Sequence, residues 1–205
     1  MMPFTRLGAI LLAAGYSRRM GGENKLLKPL YGRPLISHAL ATVSGLGLAQ
    51  VVAVLGDSAE SVAPLLPASA TVIRNSRAAE GMGASLAAGA TALDPSLDGA
   101  FIVLADMPFV TREDYEKLAA AFVARSREAI CIPLHDGRRG HPVLFPALAF
   151  PGLAASHGDS GARRLFADPA FSIDEVPGCS PGVLTDFDDP AAFAAHREGN
   201  SEITQ

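Results

Sequence analysis

Three stretches of the chain carry residue types that can hold a phosphate or a divalent cation. The first follows a short apolar run and reads Leu12-Ala13-Ala14-Gly15-Tyr16-Ser17-Arg18-Arg19-Met20-Gly21-Gly22-Glu23-Asn24-Lys25. Its glycines let backbone N–H groups turn toward a ligand, and Arg18, Arg19 and Lys25 add positive charge, which together suit a triphosphate. A solvated basic loop has the same composition, and the residues alone leave both readings open. The loop is not a Walker A motif, because no Gly-Lys pair precedes Ser or Thr at the required spacing. Nor does a Gly-x-Gly-x-x-Gly fingerprint follow the run; Gly81-Met82-Gly83-Ala84-Ser85-Leu86 comes close but lacks the third glycine.

The second stretch ends in Asp106, which closes the apolar segment ending Leu104-Ala105 and precedes Met107-Pro108. A carboxylate there is placed to hold a metal ion, or to serve as a turn residue. The third is Asp186-Phe187-Asp188-Asp189-Pro190, where an extended chain puts Asp186 and Asp188 on one side. Magnesium takes few protein carboxylates when phosphate oxygens complete its shell, so one partner for Asp106 suffices. Asp189, just ahead of Pro190, reads as a helix cap.

The surrounding pattern supplies elements to position these groups. Leu7 to Ala14 is short and continuously apolar, as in a strand buried on both faces. Further strands are expected at Val51–Leu55, Thr71–Arg74, Ala100–Leu104, Ala129–Pro133, Val143–Phe145 and Phe171–Val176. Helical spacing predicts a helix opened by Pro34, with Ile36, Ala39, Leu40 and Val43 on one face. Others are expected over Ala59–Leu66, broken near Pro64, over Ala84–Leu93, around Gly158–Phe166 and after Pro190. Thr111 and Asp114 mark a helix start, with Tyr115, Leu118 and Phe122 along one face. This alternation predicts an α/β fold, a three-layer sandwich around a mostly parallel sheet, with the late strands forming a hairpin or a mixed edge. In such sheets ligands sit beyond the carboxyl ends of the strands, where the three stretches lie. We expect one domain over residues 1–197 and a polar tail over 198–205.

Bulk properties narrow the partners. The 205 residues are 49% apolar and 19% charged with a net charge of −4, an ordinary globular balance that speaks against nucleic acid. The first apolar run is too short to span a membrane and leads into no small-residue cleavage site, so a cytoplasmic protein is expected. Cys131 and Cys179 lie far apart and near no Cys/His cluster, which fits buried thiols rather than zinc or a disulfide.

The combination Leu12-Ala13-Ala14-Gly15, Ser17-Arg18-Arg19-Met20-Gly21 and Asn24-Lys25-Leu26-Leu27 resembles the signature of MobA-like nucleotidyltransferases. Leu104-Ala105-Asp106-Met107-Pro108 is similar to their metal-binding strand end, with Ala105 in place of the usual Gly. Asp186-Phe187-Asp188-Asp189-Pro190 resembles their late Asp-x-Asp-Thr-Pro segment, with Asp189 replacing Thr. Ala13-Ala14-Gly15, Asn24-Lys25, Gly140-His141-Pro142-Val143-Leu144-Phe145 and Gly158-Asp159-Ser160-Gly161-Ala162-Arg163 look like the molybdenum cofactor cytidylyltransferases in particular.

The resemblance implies a Rossmann-like nucleotidyltransferase fold and transfer of CMP from CTP to molybdopterin cofactor, with release of pyrophosphate. It implies Mg2+ held by Asp106 and Asp188, with Lys25 and Arg19 neutralising the triphosphate. Leu12, Ala13, Ala14 and Gly15 would meet base and phosphates, with Asn75, Gly81 and Ser85 completing the nucleotide pocket. His141 and Arg163 would lie on the pterin side, His157 beside them, while His38 reads as structural. A methyl at Ala14, where the guanine-using enzymes carry glycine, leaves less room for a purine. A recipient molybdoenzyme or its chaperone is a further expected partner. A guanylyltransferase, transfer to a sugar or methylerythritol phosphate, and a non-catalytic cofactor carrier are the rival readings.

Overall fold

The computed structural model describes residues 4–15, 24–57 and 59–196. In chain order the elements are β1 (Leu7–Ala13), β2 (Pro29–Leu30), β3 (Arg33–Pro34), α1 (Leu35–Gly45), β4 (Gln50–Leu55), α2 (Ala59–Val62), β5 (Thr71–Arg74) and α3 (Met82–Thr91). They continue with β6 (Gly99–Leu104), α4 (Arg112–Ala124), β7 (Ile130–His135), β8 (Arg138–Arg139), β9 (Val143–Pro146), α5 (Phe150–Ala154), β10 (Ile173–Val176) and α6 (Pro190–Ala195). The main sheet runs β10-β7-β9-β6-β1-β4-β5, with β8 paired to β7. The pairs β1–β4, β1–β6, β4–β5 and β7–β10 are parallel, whereas β9 runs antiparallel to both β6 and β7.

β1 shows why the sheet takes helices on both sides. Leu7, Ala9, Leu11 and Ala13 enter one core with Leu35, Leu40, Tyr115, Leu118 and Phe122 from α1 and α4. Ile10 enters the other with Leu86, Ala90 and Leu153 from α3 and α5. Leu11 and Ile10 are fully buried, and each such side chain stabilises the fold by roughly 1.5–3 kcal/mol. Helix α3 lies close to the sheet because Gly89 has no side chain; a Cβ there would stand 2.5 Å from Ile10 Cγ2. The predicted cap of α4 is present as a capping box, with Thr111 and Asp114 each accepting from the other's backbone.

Two expectations are corrected. The mixed element is no edge: β9 is inserted in the sheet between β6 and β7, and the edge strand β10 is parallel. The hairpin forms between β7 and β8, turned by Asp136 at φ 47° and Gly137 at φ 72°. Around residues 158–166 there are 3-10 turns, Gly158–Ser160 and Arg163–Ala167, instead of an α-helix. Gly158 at φ 62° and Gly161 at φ 53° break the helical backbone there. The helical turn of this region is α5, entered through Pro151 in its first turn.

Candidate active site

The carboxyl ends of β1 and β6 meet at a charged centre. Past β6, the Ala105 N–H still donates to Leu12 O of β1 at 3.2 Å, so Asp106 emerges beside the first loop. Asp106 O then accepts from the Phe187 N–H at 3.1 Å, which brings the late acidic segment to the same place. Phe187 is buried in the core, while Asp186 and Asp188 on either side of it line the cleft. This segment is held from behind as well. His141 N–H donates to Val183 O at 2.9 Å, and Ser180 N–H donates to Asp114 Oδ1 at 2.7 Å. Gly140 and Gly182 make the approach possible, since added Cβ atoms would lie 2.1 Å from Val183 O and 2.0 Å from Phe109 O.

Lys25 joins both carboxylates. Asn24 caps the 3-10 turn Lys25–Leu27, its side chain accepting from the Leu26 N–H, and the turn aims Lys25 inward. Lys25 Nζ stands 2.5 Å from Asp106 Oδ2 and 2.5 Å from Asp188 Oδ1. Burial works against the ammonium, but the charges and hydrogen bonds of Asp106 and Asp188 outweigh it and hold the Lys25 pKa above that of an ordinary lysine. Burial, then repulsion from Asp188 and Asp106, raises Asp186 above the usual aspartate range. One cation position between Asp106 and Asp188 is thus already defined by the lysine. This donor set fits a magnesium-sized ion whose remaining ligands are phosphate oxygens and water. Among the described residues no cluster of three or more His, Cys, Asp or Glu forms an all-protein metal cage.

The cleft around this centre has two adjoining compartments. The first, of about 460 Å³, is lined by Leu12, Ala14, Gly15, Lys25, Gly81, Ser85, Asp106 and Asp188 among others. The second, of about 360 Å³, is walled by Leu86, Ile102, Ile132, Val143, Phe145 and Phe166, with Arg139, His141, Asp159 and Arg163 as its polar groups. Leu12, Met82 and Asp159 line both. The partition exists because Gly81 and Gly83 let the loop 157–161 lie against the start of α3. A Cβ on Gly81 would stand 2.3 Å from Asp159 Oδ1, and one on Gly83 2.5 Å from the His157 carbonyl carbon.

The residues singled out in the sequence fall in distinct places. Leu12, Ala14, Gly15, Lys25, Gly81, Ser85, Asp106 and Asp188 line the first compartment, and His141 and Arg163 the second. The Ala13 methyl belongs to the core on the α1 side of the sheet, and Asn75 is buried behind the wall. Ser17, Arg18, Arg19, Met20 and Gly21 lie outside the described residues, as does the tail over 198–205. His38 Nε2 donates to Leu30 O at 2.9 Å, a structural bond. Burial holds the His141 imidazole below its ordinary pKa, opposed by a backbone hydrogen bond at Ile102 and by the charge of Asp106; its Nδ1 is buried and has no hydrogen-bond partner among the described residues.

Sequence reading gave no site role to Glu80, Met82 or Asp159, and took Asp186 only as the alternate of Asp188 and Arg139 as a solvated arginine by default; all five line the cleft. The glycines flanking Asp159 and the alternation of Asp186 with Asp188 were the available signals. Both cysteines are buried thiols, and burial pushes Cys131 up to about 12. Among the described residues no helix is long and apolar enough to cross a membrane.

A nucleotide-sized cleft at the carboxyl ends of a mixed, mostly parallel sheet, with a lysine between two aspartates, is the arrangement of a nucleotidyltransferase. Residues 9–175 match the model of the MobA-like NTP transferase domain, and the chain belongs to that family. It is 37% identical over 191 residues to the bifunctional protein GlmU of Paramagnetospirillum magneticum, covering 89% of this chain and 39% of that protein. It is also 31% identical over 187 residues to the nicotine blue oxidoreductase of Paenarthrobacter nicotinovorans, covering 87% of this chain and 90% of that protein. The chain therefore spans about two-fifths of its GlmU relatives. The crystal structure of the Rv0371c homologue from Mycobacterium sp. strain JC1 superposes with a TM-score of 0.80 at 25% identity, covering 96% of this chain and 100% of that one.

Proposed function

We propose that this nucleotidyltransferase moves a cytidylyl group from CTP to the terminal phosphate of molybdopterin cofactor, giving the cytosine dinucleotide form and pyrophosphate. The observation that carries the reading is the position of Lys25, Asp106 and Asp188 beside two adjoining compartments. The first compartment would take the nucleotide, with the Ala14 methyl limiting the room for a purine. The second has an apolar, aromatic wall, in which Phe145 and Phe166 stack with centroids 5.9 Å apart. Arg139 and Arg163 at its margin suit a flat ring system carrying anionic groups. A sugar phosphate would call for more polar lining.

In the reaction an acceptor phosphate oxygen forms a bond to the α-phosphorus while the bond from that phosphorus to the bridging oxygen of the β-phosphate breaks. A phosphate monoester is largely ionised near pH 7, so no general base is required. Catalysis rests on in-line positioning and charge neutralisation. Mg2+ held by Asp106 and Asp188 would supply Lewis-acid stabilisation of the phosphate charge. Lys25, drawn from the carboxylates to the triphosphate, would neutralise the leaving group, and Arg19 would assist from the first loop. Asp159 stands at the partition, where it would exclude wrongly placed anions.

The test is pyrophosphate release with CTP or GTP, each with and without molybdopterin cofactor. Release requiring CTP and the pterin together supports the proposal, and Asp106→Ala is then expected to lower turnover by roughly a thousandfold. Release with GTP transfers the reading to the guanylyl reaction. Folded protein that delivers cofactor equally well with Asp106→Ala would be a carrier.

A further inference from the structure

Asn75 follows β5, and both ends of its side chain are engaged. Its Oδ1 accepts from the Arg77 N–H at 3.0 Å, and its Nδ2 donates to Ser85 Oγ at 3.0 Å. The amide cannot be turned over, because the Arg77 N–H requires an oxygen facing it. Asn75 is 8% exposed and Ser85 5%, so bulk water does not compete for this bond. Ser85 uses a lone pair to receive it, and its hydroxyl hydrogen is left to donate elsewhere. That hydroxyl belongs to a residue lining the nucleotide compartment, whereas Asn75 does not reach it. Among the described residues Ser85 Oγ makes no second hydrogen bond.

We infer that Asn75 is a specificity-positioning residue: by occupying one lone pair of Ser85 Oγ it leaves the hydroxyl hydrogen as the group in need of a partner, so the compartment favours a nucleobase with an acceptor at that point. The inference rests on the reading that a nucleotide occupies the first compartment, but not on which nucleotide. Cytosine offers O2 and N3 as acceptors. Its amino group, a donor, would leave the hydroxyl unsatisfied. Leaving that hydroxyl hydrogen buried without an acceptor costs more than a matched bond contributes, which disfavours a base that presents only a donor there.

Asn75→Asp tests the polarity with little change of shape. The carboxylate still accepts from the Arg77 N–H, but its second oxygen now accepts from Ser85. The hydroxyl turns round and presents lone pairs to the base. Affinities for CTP, UTP, GTP and ATP are measured by titration calorimetry on the wild type, and the tightest nucleotide is carried through Asn75→Asp, Ser85→Ala and the double variant. In the Ser85 background Asn75→Asp is expected to weaken that nucleotide about thirtyfold, and in the Ser85→Ala background about threefold. The residual effect is that of the added charge, which both backgrounds share. Equal weakening in the two backgrounds overturns the inference, because a loop clip with no bearing on hydroxyl polarity behaves that way. No weakening in either overturns it as well. If Asn75→Asp does not fold, Asn75→Ala, which lets the hydroxyl rotate, is read by the same comparison. Should GTP bind the wild type most tightly, the CTP reading fails while the cycle, run with GTP, still judges Asn75. If no nucleotide binds, both fail together.

Discussion

Lys25→Met should turn a closed cation site into an open one. Lys25 Nζ sits 2.5 Å from a carboxylate oxygen of Asp106 and 2.5 Å from one of Asp188, where a divalent ion would have to sit. At that distance and an effective dielectric of about 20, each contact has a gross attraction of roughly 6–7 kcal/mol. Most of this is cancelled by lost hydration, since the Lys25 side chain is only 11% exposed. A charge-assisted hydrogen bond contributes a net of about 1.5–3 kcal/mol. The Asp188 side chain is 48% exposed, so its share is further screened. Moving the ammonium off both carboxylates therefore costs on the order of 3 kcal/mol, a factor of about 100 in metal affinity. Titration of Mn2+ followed by electron paramagnetic resonance, without nucleotide, should show Lys25→Met binding the ion about 100-fold more tightly than the wild type. Adding a non-hydrolysable triphosphate should narrow the gap, because the ammonium then has another anion to meet. Equal Mn2+ affinity of the two proteins without nucleotide would refute the argument that the lysine holds the cation's place.

Ala14→Gly should raise the use of GTP relative to CTP, since only Ala14 of the Ala13-Ala14 pair lines the cleft; an unchanged ratio of kcat/KM values would remove the steric account. Ala13→Gly should instead lower stability by about 1 kcal/mol in urea unfolding, because its methyl is in the core. Gly83→Ala would set a Cβ 2.5 Å from the His157 carbonyl carbon. It should push away the loop 157–161, destabilise by roughly 1–3 kcal/mol and raise KM for the acceptor more than for the nucleotide; unaltered kinetics would separate that loop from the site. Asp114 is opposed by burial, yet hydrogen bonds from Ser180 and Thr111 hold it below the usual aspartate range. Its folded pKa is depressed, so its stabilisation is present above the unfolded value near 4 and is lost as pH falls below that. Asp114→Asn should therefore flatten the loss of stability below about pH 4 in acid-unfolding curves; a wild-type slope would mean that other carboxylates dominate.

Much of the scaffold was legible without coordinates because it rests on local rules. Continuous apolar runs marked β1, β4 and β6 as strands, β1 as one buried on both faces, and both cores do converge on all three. Thr111 and Asp114 announced the start of α4 through a cap whose chemistry lies within four residues. Where glycine and proline redirected the chain, periodicity misled: Gly158 and Gly161 turn what looked helical into 3-10 turns. The place of β9 was not readable at all. Which strands an antiparallel segment joins depends on whose faces it can cover, not on its own residues.

The sequence by itself determined which side chains could bind phosphate and a cation: residue types and spacing offered Lys25, Asp106 and the alternating pair Asp186 and Asp188, and the family resemblance picked Asp188 from that pair. Tertiary structure decided what those groups do to one another. Positions 25, 106 and 188 meet at one ammonium only because the Phe187 N–H bonds Asp106 O and two glycines admit the late segment. It also separated Ala13, in the core on one face of the sheet, from Ala14, which joins the core on the other face and borders the cleft, and Ser85, at the cleft, from Asn75 behind it. The physical reason is that residue type sets the charges and donors available, whereas burial and distance, which arise only on packing, set which of them interact.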